Sequence, residues 1–161
     1  MHSQEKTSEN QLPEITLAPI TGYTDHPFRI ILRELGFNGL VYSEMVNCNG
    51  IIYNLAKVKK KLFFNPKERP IAIQISGNDS ELLRDAALII EDTFRPDYIN
   101  INLGCPSRRT TASNSGASLL RDYNSVRKIL SKLTGSLNTP LTIKTRLGWS
   151  SADEIFSLID I

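Results

Sequence analysis

Short apolar runs alternate with helix-period segments along most of this chain. Four of the five runs are continuous apolar or β-branched stretches and not strict apolar–polar alternations. Continuous runs are typical of strands in a parallel sheet that is covered on both faces. We therefore predict five strands, in EITLAP from Glu14, GLVYSEM from Gly39, PIAIQISG from Pro70, DYININLG from Asp97 and PLTIKTRLG from Pro140.

The segments between these runs carry helix signals. Pro27 and Gly36 bracket PFRIILRELG, with proline near the start and glycine just past the end, and residues 78–81 and 151–154 resemble capping boxes. Two apolar stripes have helical spacing, and we interpret both as core-facing and not as ligand-binding. The stripes are Leu82, Leu83, Ala86, Ile89 and Ile90, and Val126, Ile129, Leu130 and Leu133.

The order of these elements is a β–α repeat that ends in a fifth strand and the start of a helix. Such alternation predicts a parallel α/β architecture, but by itself it does not separate a barrel from an open doubly wound sheet. A length of 161 residues corresponds to roughly one domain. Residues 1–13 are polar and are predicted to form a loose tail before the domain of residues 14–161.

Composition and charge narrow the class of protein. Apolar residues make up 40% and charged residues 22%, as in soluble globular proteins, and a net charge of +2 is too small to argue for nucleic acid alone. Cys48 and Cys105 fit neither a metal-ligand spacing nor a disulfide framework, which favours a reducing compartment. The chain shows no signal-peptide core and no apolar run near the ~20 residues of a membrane span. We predict a cytoplasmic protein with no metal and no membrane partner.

Chemically active or polar residues stand at the ends of all five predicted strands. In parallel α/β proteins the carboxyl ends of the strands converge on the active site, in barrels and open sheets alike. Groups at five successive strand ends therefore form a constellation, although each alone is a weak signal. Its members are Ala18, Pro19, Ile20, Glu44, Gln74, Asn102, Cys105, Lys144 and Arg146.

Several of these residues also admit a purely structural interpretation. Cys105 alone resembles a small buried hydrophobe, and Gln74 alone a partner for neighbouring backbone. Lys144 alone fits an amine that extends out of a strand end, and Glu44 alone fits a helix cap. Together they favour a site, because core strands rarely hold an unpaired lysine or glutamate.

Other catalytic motifs are missing from the sequence. There is no G-x-G-x-x-G, no P-loop and no cluster of histidines and cysteines that would bind a metal. The only histidines are His2, in the predicted tail, and His26, which is predicted to begin a helix. This placement argues against a Ser-His-Asp triad.

Three segments carry a specific family resemblance. LAPITGYTDHPFR, NLGCPS with SGASLL, and IKTRLGW resemble, in the right order, motifs of the tRNA-dihydrouridine synthase family, flavoenzymes of the TIM-barrel class. YSEMVNCNGIIY and IQISG fall at the expected places between them, so that the match runs from Leu17 to Trp149. The resemblance selects a partial (β/α)₈ barrel, carrying the first five parallel strands, over an open sheet.

The resemblance also implies a reaction. Family members reduce the C5–C6 bond of a uracil in tRNA: NADPH reduces FMN, hydride passes to C6, and a cysteine thiol protonates C5. On this resemblance the acid is Cys105, held between Gly104 and Pro106. A proton donor has to stay protonated near neutral pH, as an unperturbed cysteine largely does.

The remaining site residues carry over from the same motifs. The residues implied to contact FMN are Ala18, Pro19 and Ile20 at the isoalloxazine, and Gln74 and Lys144 at the ring edge. The residues implied to contact the tRNA substrate are Asn102, Arg146, Glu44, Arg108 and Arg109. A second basic cluster reads either as an RNA contact or as a solvated helix face, and it contains Lys57, Lys59, Lys60 and Lys61.

The chain departs from the family pattern in sequence and in extent. Asn100 stands where an aspartate is expected, Thr110 where valine is common and Ile20 where methionine is common. A full barrel needs about 250 residues, so we expect strands six to eight, the late phosphate-binding loops and the helical RNA-binding domain to be missing here. We expect the chain alone to be inactive and to self-associate through open barrel edges.

Two alternative functions stay open at this point. One is a non-catalytic fragment that binds RNA or a partner weakly at most. The other is a related flavin-dependent dehydrogenase that acts on a free pyrimidine, because such enzymes contain a similar N-x-x-C-P motif.

Overall fold

The structure, a computed structural model, describes residues 13–161. The predicted tail therefore lies outside the described residues, apart from Pro13. The strands are β1 (Val41–Tyr42), β2 (Val46–Asn47), β3 (Ile71–Ser76), β4 (Tyr98–Leu103) and β5 (Leu141–Thr145). The α-helices are α1 (His26–Glu34), α2 (Cys48–Leu62), α3 (Ser80–Phe94), α4 (Arg108–Thr111), α5 (Tyr123–Thr134) and α6 (Glu154–Ile159), with 3₁₀ turns at Pro66–Glu68 and Gly116–Arg121.

The strands form one parallel sheet in the order β1-β3-β4-β5, and β2 also pairs with β3. Helices connect β2 to β3, β3 to β4 and β4 to β5, as parallel pairing requires, whereas β1 continues directly into β2. The curved sheet with helices on its outer face is a half-barrel, which confirms the predicted partial α/β barrel. In the register of the sheet, Gln74 of β3 lies beside Asn100 of β4, and Asn102 of β4 lies beside Lys144 of β5.

The first predicted strand forms only a single parallel bridge, between Thr16 and Leu40. One ladder bond supports it, from the Leu17 N–H to the Leu40 carbonyl at 2.8 Å. Pro13 and Pro19 at the ends of the segment lack N–H groups, so few ladder bonds are open to it. The segment lies beside the second run as predicted, but the prediction of a regular strand was wrong.

The second predicted strand is interrupted by one extra residue. Tyr42 pairs with Ala72 and Val46 pairs with Ile75, so residues 43, 44 and 45 face only residues 73 and 74 of β3. This three-against-two count is a bulge, which bends a strand and redirects its side chains. It occurs at the point where Glu44 leaves the sheet.

Helix ends agree with most of the sequence signals. Asp25 caps α1, Pro27 lies in its first turn, and Gly36 follows the helix with φ +90°. The cap of α3 is Asp79, which accepts from the N–H groups of Glu81 and Leu82, and not the predicted Asn78. Asp79 carries the carboxylate nearer to those two donors, so it takes the capping role.

The core lies between the sheet and the helices. Ile73, Ile75, Ile99 and Ile101 are fully buried against both predicted apolar stripes. The stripe residues of α3 and α5 are buried or half-buried, which confirms their assignment to the core. Within residues 13–161, no helix has both the length and the apolar content that crossing a membrane would require.

Candidate active site

A chain of hydrogen-bonded polar side chains crosses β3, β4 and β5. Gln74 Nε2 donates to Asn100 Oδ1 at 2.7 Å, and Asn102 Nδ2 donates to Gln74 Oε1 at 3.0 Å. Asn100 Nδ2 then donates to Thr142 Oγ1 at 2.8 Å. Gln74, Asn100 and Asn102 are buried, and their hydrogen bonds offset the free energy lost by removing amides from water.

Asn102 builds the loop that carries Cys105. Its Oδ1 accepts from the Gly104 N–H at 3.2 Å and from the Cys105 N–H at 2.9 Å. Its Nδ2 is held by Gln74, so both ends of the amide are engaged. Asn102 therefore sets where the thiol emerges from the end of β4.

Two glycines allow this loop to pack closely. A Cβ atom on Gly104 would lie 3.3 Å from the Thr145 carbonyl carbon, at the end of β5. Gly116 has φ +61°, and a Cβ there would lie 2.8 Å from the Cys105 carbonyl oxygen and 2.7 Å from Thr110 Cγ2. Only glycine accommodates both the backbone conformation and the contact at position 116. The Cys105 backbone is thus enclosed by its own loop and by the 3₁₀ turn at Gly116–Arg121.

The thiol of Cys105 is half-buried and lies among polar groups. Its Sγ lies 3.5 Å from Ser107 Oγ and 3.5 Å from Thr110 Oγ1. Burial raises the pKa of the Cys105 thiol, but hydrogen bonds from Ser107 and Thr110 and the positive charge of Lys144 outweigh it, so the net pKa lies below that of an ordinary cysteine. The sequence interpretation assumed an unperturbed thiol, and the structure lowers its pKa.

Cys48 contrasts with Cys105. It begins α2, is 2% exposed, and would meet a Cβ on Gly77 at 2.5 Å. Burial raises the pKa of the Cys48 thiol. A neutral, enclosed thiol of this kind is a packing group.

The loop before α1 is held from two sides. Thr24 Oγ1 accepts from the Ile20 N–H at 3.0 Å, and Glu44 Oε1 accepts from the Gly22 N–H at 2.8 Å. Lys61 Nζ lies 3.1 Å from the same Glu44 oxygen. Ala18 and Ile20 are exposed and Pro19 is half-buried, so this loop presents an apolar surface.

The predicted cationic residues are all exposed. Lys144 lies next to Asn102 in the register, and Arg146 follows the end of β5. Within residues 13–161 neither side chain has an ion-pair partner. Arg108 and Arg109 lie on the short α4, one turn beyond Cys105, with their side chains in solvent. The strand register thus brings Gln74, Asn102, Cys105 and Lys144 together, whereas the two arginines of α4 lie at the rim.

Sequence reasoning missed Asn100, Thr142, Ser107 and Thr110. Asn100 and Thr142 each lie two residues before a predicted site residue, Asn102 and Lys144. Because side chains at i and i+2 share a face of a strand, this spacing was a usable signal. Ser107 and Thr110 carried no such signal, since only the turn into α4 brings their hydroxyl groups to the sulfur.

Comparisons with known proteins give the family of this chain. The family model described as "Dihydrouridine synthase (Dus)" matches residues 16–161. The tRNA-dihydrouridine(20/20a) synthase of Synechocystis is 33% identical over 152 residues, which cover 94% of this chain and 45% of that protein. tRNA-dihydrouridine synthase B of Pseudomonas syringae is 36% identical over 135 residues, which cover 84% of this chain and 40% of that protein.

The chain thus spans less than half the length of the curated relatives it matches. The matched region nevertheless includes every strand, the amide network and the Cys105 loop. The match covers nearly all of the described residues, and it confirms the family inferred from the three motifs. The chain therefore belongs to the dihydrouridine synthase family.

Proposed function

We propose that this chain serves the reduction of uridine to 5,6-dihydrouridine in tRNA, with FMN and NADPH. The observation that carries the proposal is the position of the Cys105 thiol. Asn102 accepts from the Cys105 N–H, and Asn102 pairs in the sheet with the exposed Lys144. An acid and a cation therefore lie at the carboxyl ends of neighbouring parallel strands, where barrel enzymes have their active sites.

Cys105 is the proton donor in this proposal. The thiol gives its proton to C5 of the uracil, and the electron pair of the S–H bond stays on sulfur. A general acid in this position contributes roughly 10²–10⁴ to the rate. The lowered pKa of Cys105 favours transfer, but it also depletes the protonated form as the pH rises.

In this proposal the loop of residues 18–20 and the side chains of the sheet contact one side of the flavin ring. Ala18, Pro19 and Ile20 offer apolar contact to its face, and the exposed Lys144 offers a donor to its edge. Gln74 is buried and its Nε2 donates to Asn100, which leaves one amide N–H for the ring edge. When bound, FMN supplies the hydride for C6, taken from NADPH. The Lys144 ammonium favours negative charge on the reduced ring.

The RNA side of the site is more open. Arg108, Arg109 and Arg146 are exposed cations at the rim, suited to phosphate contacts. Asn102 positions the uracil relative to the acid, because the same amide holds the Cys105 loop. Glu44 shapes the loop at Gly22, which forms the substrate side of the apolar surface.

The sheet edges support a second proposal, self-association. Within the described residues, β5 has no neighbour on its outer side. Ile143 of this strand is an exposed apolar residue, and four more follow the strand, namely Leu147, Trp149, Phe156 and Ile159. An unpaired edge next to exposed apolar surface favours pairing with another chain. This edge also supports the alternative of a non-catalytic fragment, if the 161-residue chain makes no dihydrouridine.

The test uses two proteins. One is the 161-residue chain, and the other is a chimera that adds the remaining C-terminal segment of the Pseudomonas syringae relative. Each is mixed with FMN, NADPH and tRNA transcribed without modifications, and dihydrouridine is measured by mass spectrometry. We expect product from the chimera and little or none from the chain alone. Product on free uracil or orotate, with none on tRNA, would favour the pyrimidine dehydrogenase instead.

A further inference from the structure

Two hydroxyl groups meet the sulfur of Cys105 in a triangle. Ser107 Oγ and Thr110 Oγ1 each lie 3.5 Å from Cys105 Sγ, and the two oxygens lie 2.9 Å apart. The Cys105 thiol donates to Ser107 Oγ, whereas either atom can be the donor between Cys105 Sγ and Thr110 Oγ1 and between the two oxygens.

Backbone contacts fix the positions of the two residues that carry these hydroxyl groups. Ser107 caps α4, and its Oγ accepts from the Thr110 N–H at 3.3 Å. Thr110 is 8% exposed, and its methyl group packs where a Cβ on Gly116 would lie 2.7 Å away. Thr110 therefore has little freedom to turn its hydroxyl away from the sulfur, whereas Ser107 is exposed and reaches solvent.

The electrostatics of the site agree with this geometry. Two further elements face Cys105. Strand β5 brings the positive charge of Lys144, whereas the 3₁₀ turn brings Gly116 and Ala117, which carry no charge. The hydrogen bonds from Ser107 and Thr110, together with Lys144, outweigh burial and lower the pKa of Cys105. Both hydroxyl groups therefore interact more favourably with the thiolate than with the thiol.

We propose that Ser107 and Thr110 are positioning residues for the Cys105 sulfur: Ser107 accepts a hydrogen bond from the thiol, both hydroxyl groups turn to donate to the thiolate once the proton has left, and the pair so controls when this sulfur loses and regains its proton. In uracil reduction, on which this use of the pair rests, the S–H bond breaks and a C5–H bond forms, with the electron pair left on sulfur. The hydroxyl groups stabilise that sulfur anion at the moment it forms.

The experiment measures the rate at which iodoacetamide alkylates Cys105 in the 161-residue chain, as a function of pH. Mass spectrometry of the Cys105 peptide separates its signal from Cys48. The variants are Thr110→Val and Ser107→Ala, with Thr110→Ser as the rescue. The matched control is Thr111→Val, on the same helix, because the Thr111 hydroxyl bonds only backbone carbonyls, those of Ser107 and Arg108.

Removing either donor should raise the pH midpoint of alkylation by roughly half a pH unit, about a threefold fall in rate below the midpoint. Thr110→Ser should restore the midpoint, and Thr111→Val should leave it unchanged. An unchanged midpoint in both Thr110→Val and Ser107→Ala overturns the proposal, as does an equal shift in Thr111→Val. Circular dichroism checks the fold, and exposed Ser107 offers a variant that does not touch the core.

The readout separates this proposal from the proposed function. Alkylation needs neither tRNA nor flavin, so a shifted midpoint supports the hydroxyl pair even if no dihydrouridine is formed. Dihydrouridine formation with an unchanged midpoint would instead support the function and reject the pair.

Discussion

Arg29 and Glu68 form an ion pair from which water is excluded. Arg29 Nε donates to Glu68 Oε2 at 2.6 Å, and both side chains are 0% exposed. The guanidinium also donates to the Thr24 carbonyl at 2.6 Å and to the Phe63 carbonyl at 2.9 Å. His26 Nδ1 lies 2.6 Å from Glu68 Oε1, the other carboxylate oxygen. The pair thus joins α1, the end of α2 and the loop that precedes α1.

Removing one partner of this pair should destabilise the fold strongly. Arg29→Met leaves the Glu68 carboxylate buried without its charge partner, and we expect a loss of about 3–5 kcal/mol in the free energy of unfolding. Urea denaturation followed by circular dichroism measures it. The matched control is Arg84→Met, because Arg84 pairs with Glu81 and Asp85 on the surface, where ion pairs contribute little to the free energy of unfolding. Equal losses in the two variants would contradict a structural role for the buried pair.

Replacing each of the two cysteines should have different effects on the rate of dihydrouridine formation. In the chimera, Cys105→Ala should lower dihydrouridine formation by roughly 10²-fold or more, because the proton donor is lost. Cys48→Ala should leave the rate largely intact, since the Cys48 thiol is enclosed. Rates are measured in single-turnover assays on unmodified tRNA. A Cys105→Ala variant with full activity would exclude this thiol as the acid.

Lys144 should affect the flavin and not the fold. The side chain is exposed and has no ion-pair partner within residues 13–161, so Lys144→Met should leave the melting temperature unchanged. In the chimera it should weaken FMN retention or slow flavin reduction by NADPH, because a charge beside the reduced ring is lost. The control is Lys132→Met, at the surface ion pair with Glu81. A lower melting temperature with unchanged flavin binding would favour a structural role.

Trp149, the only tryptophan, should report an acid transition at α6. Glu154 accepts from the N–H groups of Trp149, Ser150 and Ser151 and from the Ser150 hydroxyl. The Ser150 hydroxyl and these N–H groups outweigh burial and lower the pKa of Glu154 from 4.5 to about 2. A depressed pKa stabilises the folded form above the unfolded value, and this stabilisation is lost as the pH falls from about 4.5 towards 2.

Fluorescence of Trp149 should therefore change across that pH range. In Glu154→Gln, which cannot ionise, the change should disappear while the remaining acid transition persists. Trp149 also packs under Arg121, whose guanidinium carbon lies 3.8 Å from the ring centroid, so its emission reports this local environment. An identical titration in the two proteins would show that Glu154 does not govern it.

The open edge of β5 should govern self-association. The purified 161-residue chain should be colourless after mixing with FMN and desalting, and should elute as an oligomer in size-exclusion chromatography with light scattering. Ile143→Lys places a charge on the exposed edge, where Ile143 is 38% exposed, and should shift the chain towards monomer. The control Ile31→Lys changes an exposed residue on α1. A yellow, monomeric chain would reject both expectations.

The alternation of buried strands and helices from β3 to β5 followed from the sequence alone. A continuous apolar run such as PIAIQISG is recognisable as a strand from its local composition, because a strand that is buried on both faces is apolar on both faces. The two apolar stripes on α3 and α5 were readable for the same reason, since helical spacing alone assigns one face to the core. The family motifs added what alternation could not, the choice of a barrel over an open sheet.

The tertiary structure decided how these elements cooperate. The reduction of the first strand to the Thr16–Leu40 bridge and the bulge at residues 43–45 depend on which neighbour each segment meets. The buried pair of Arg29 and Glu68 joins residues 39 positions apart, beyond any local pattern. The sequence placed Cys105 at a strand end, but only the folded turn places two hydroxyl groups on its sulfur, because contacts across a turn follow backbone geometry and not residue spacing.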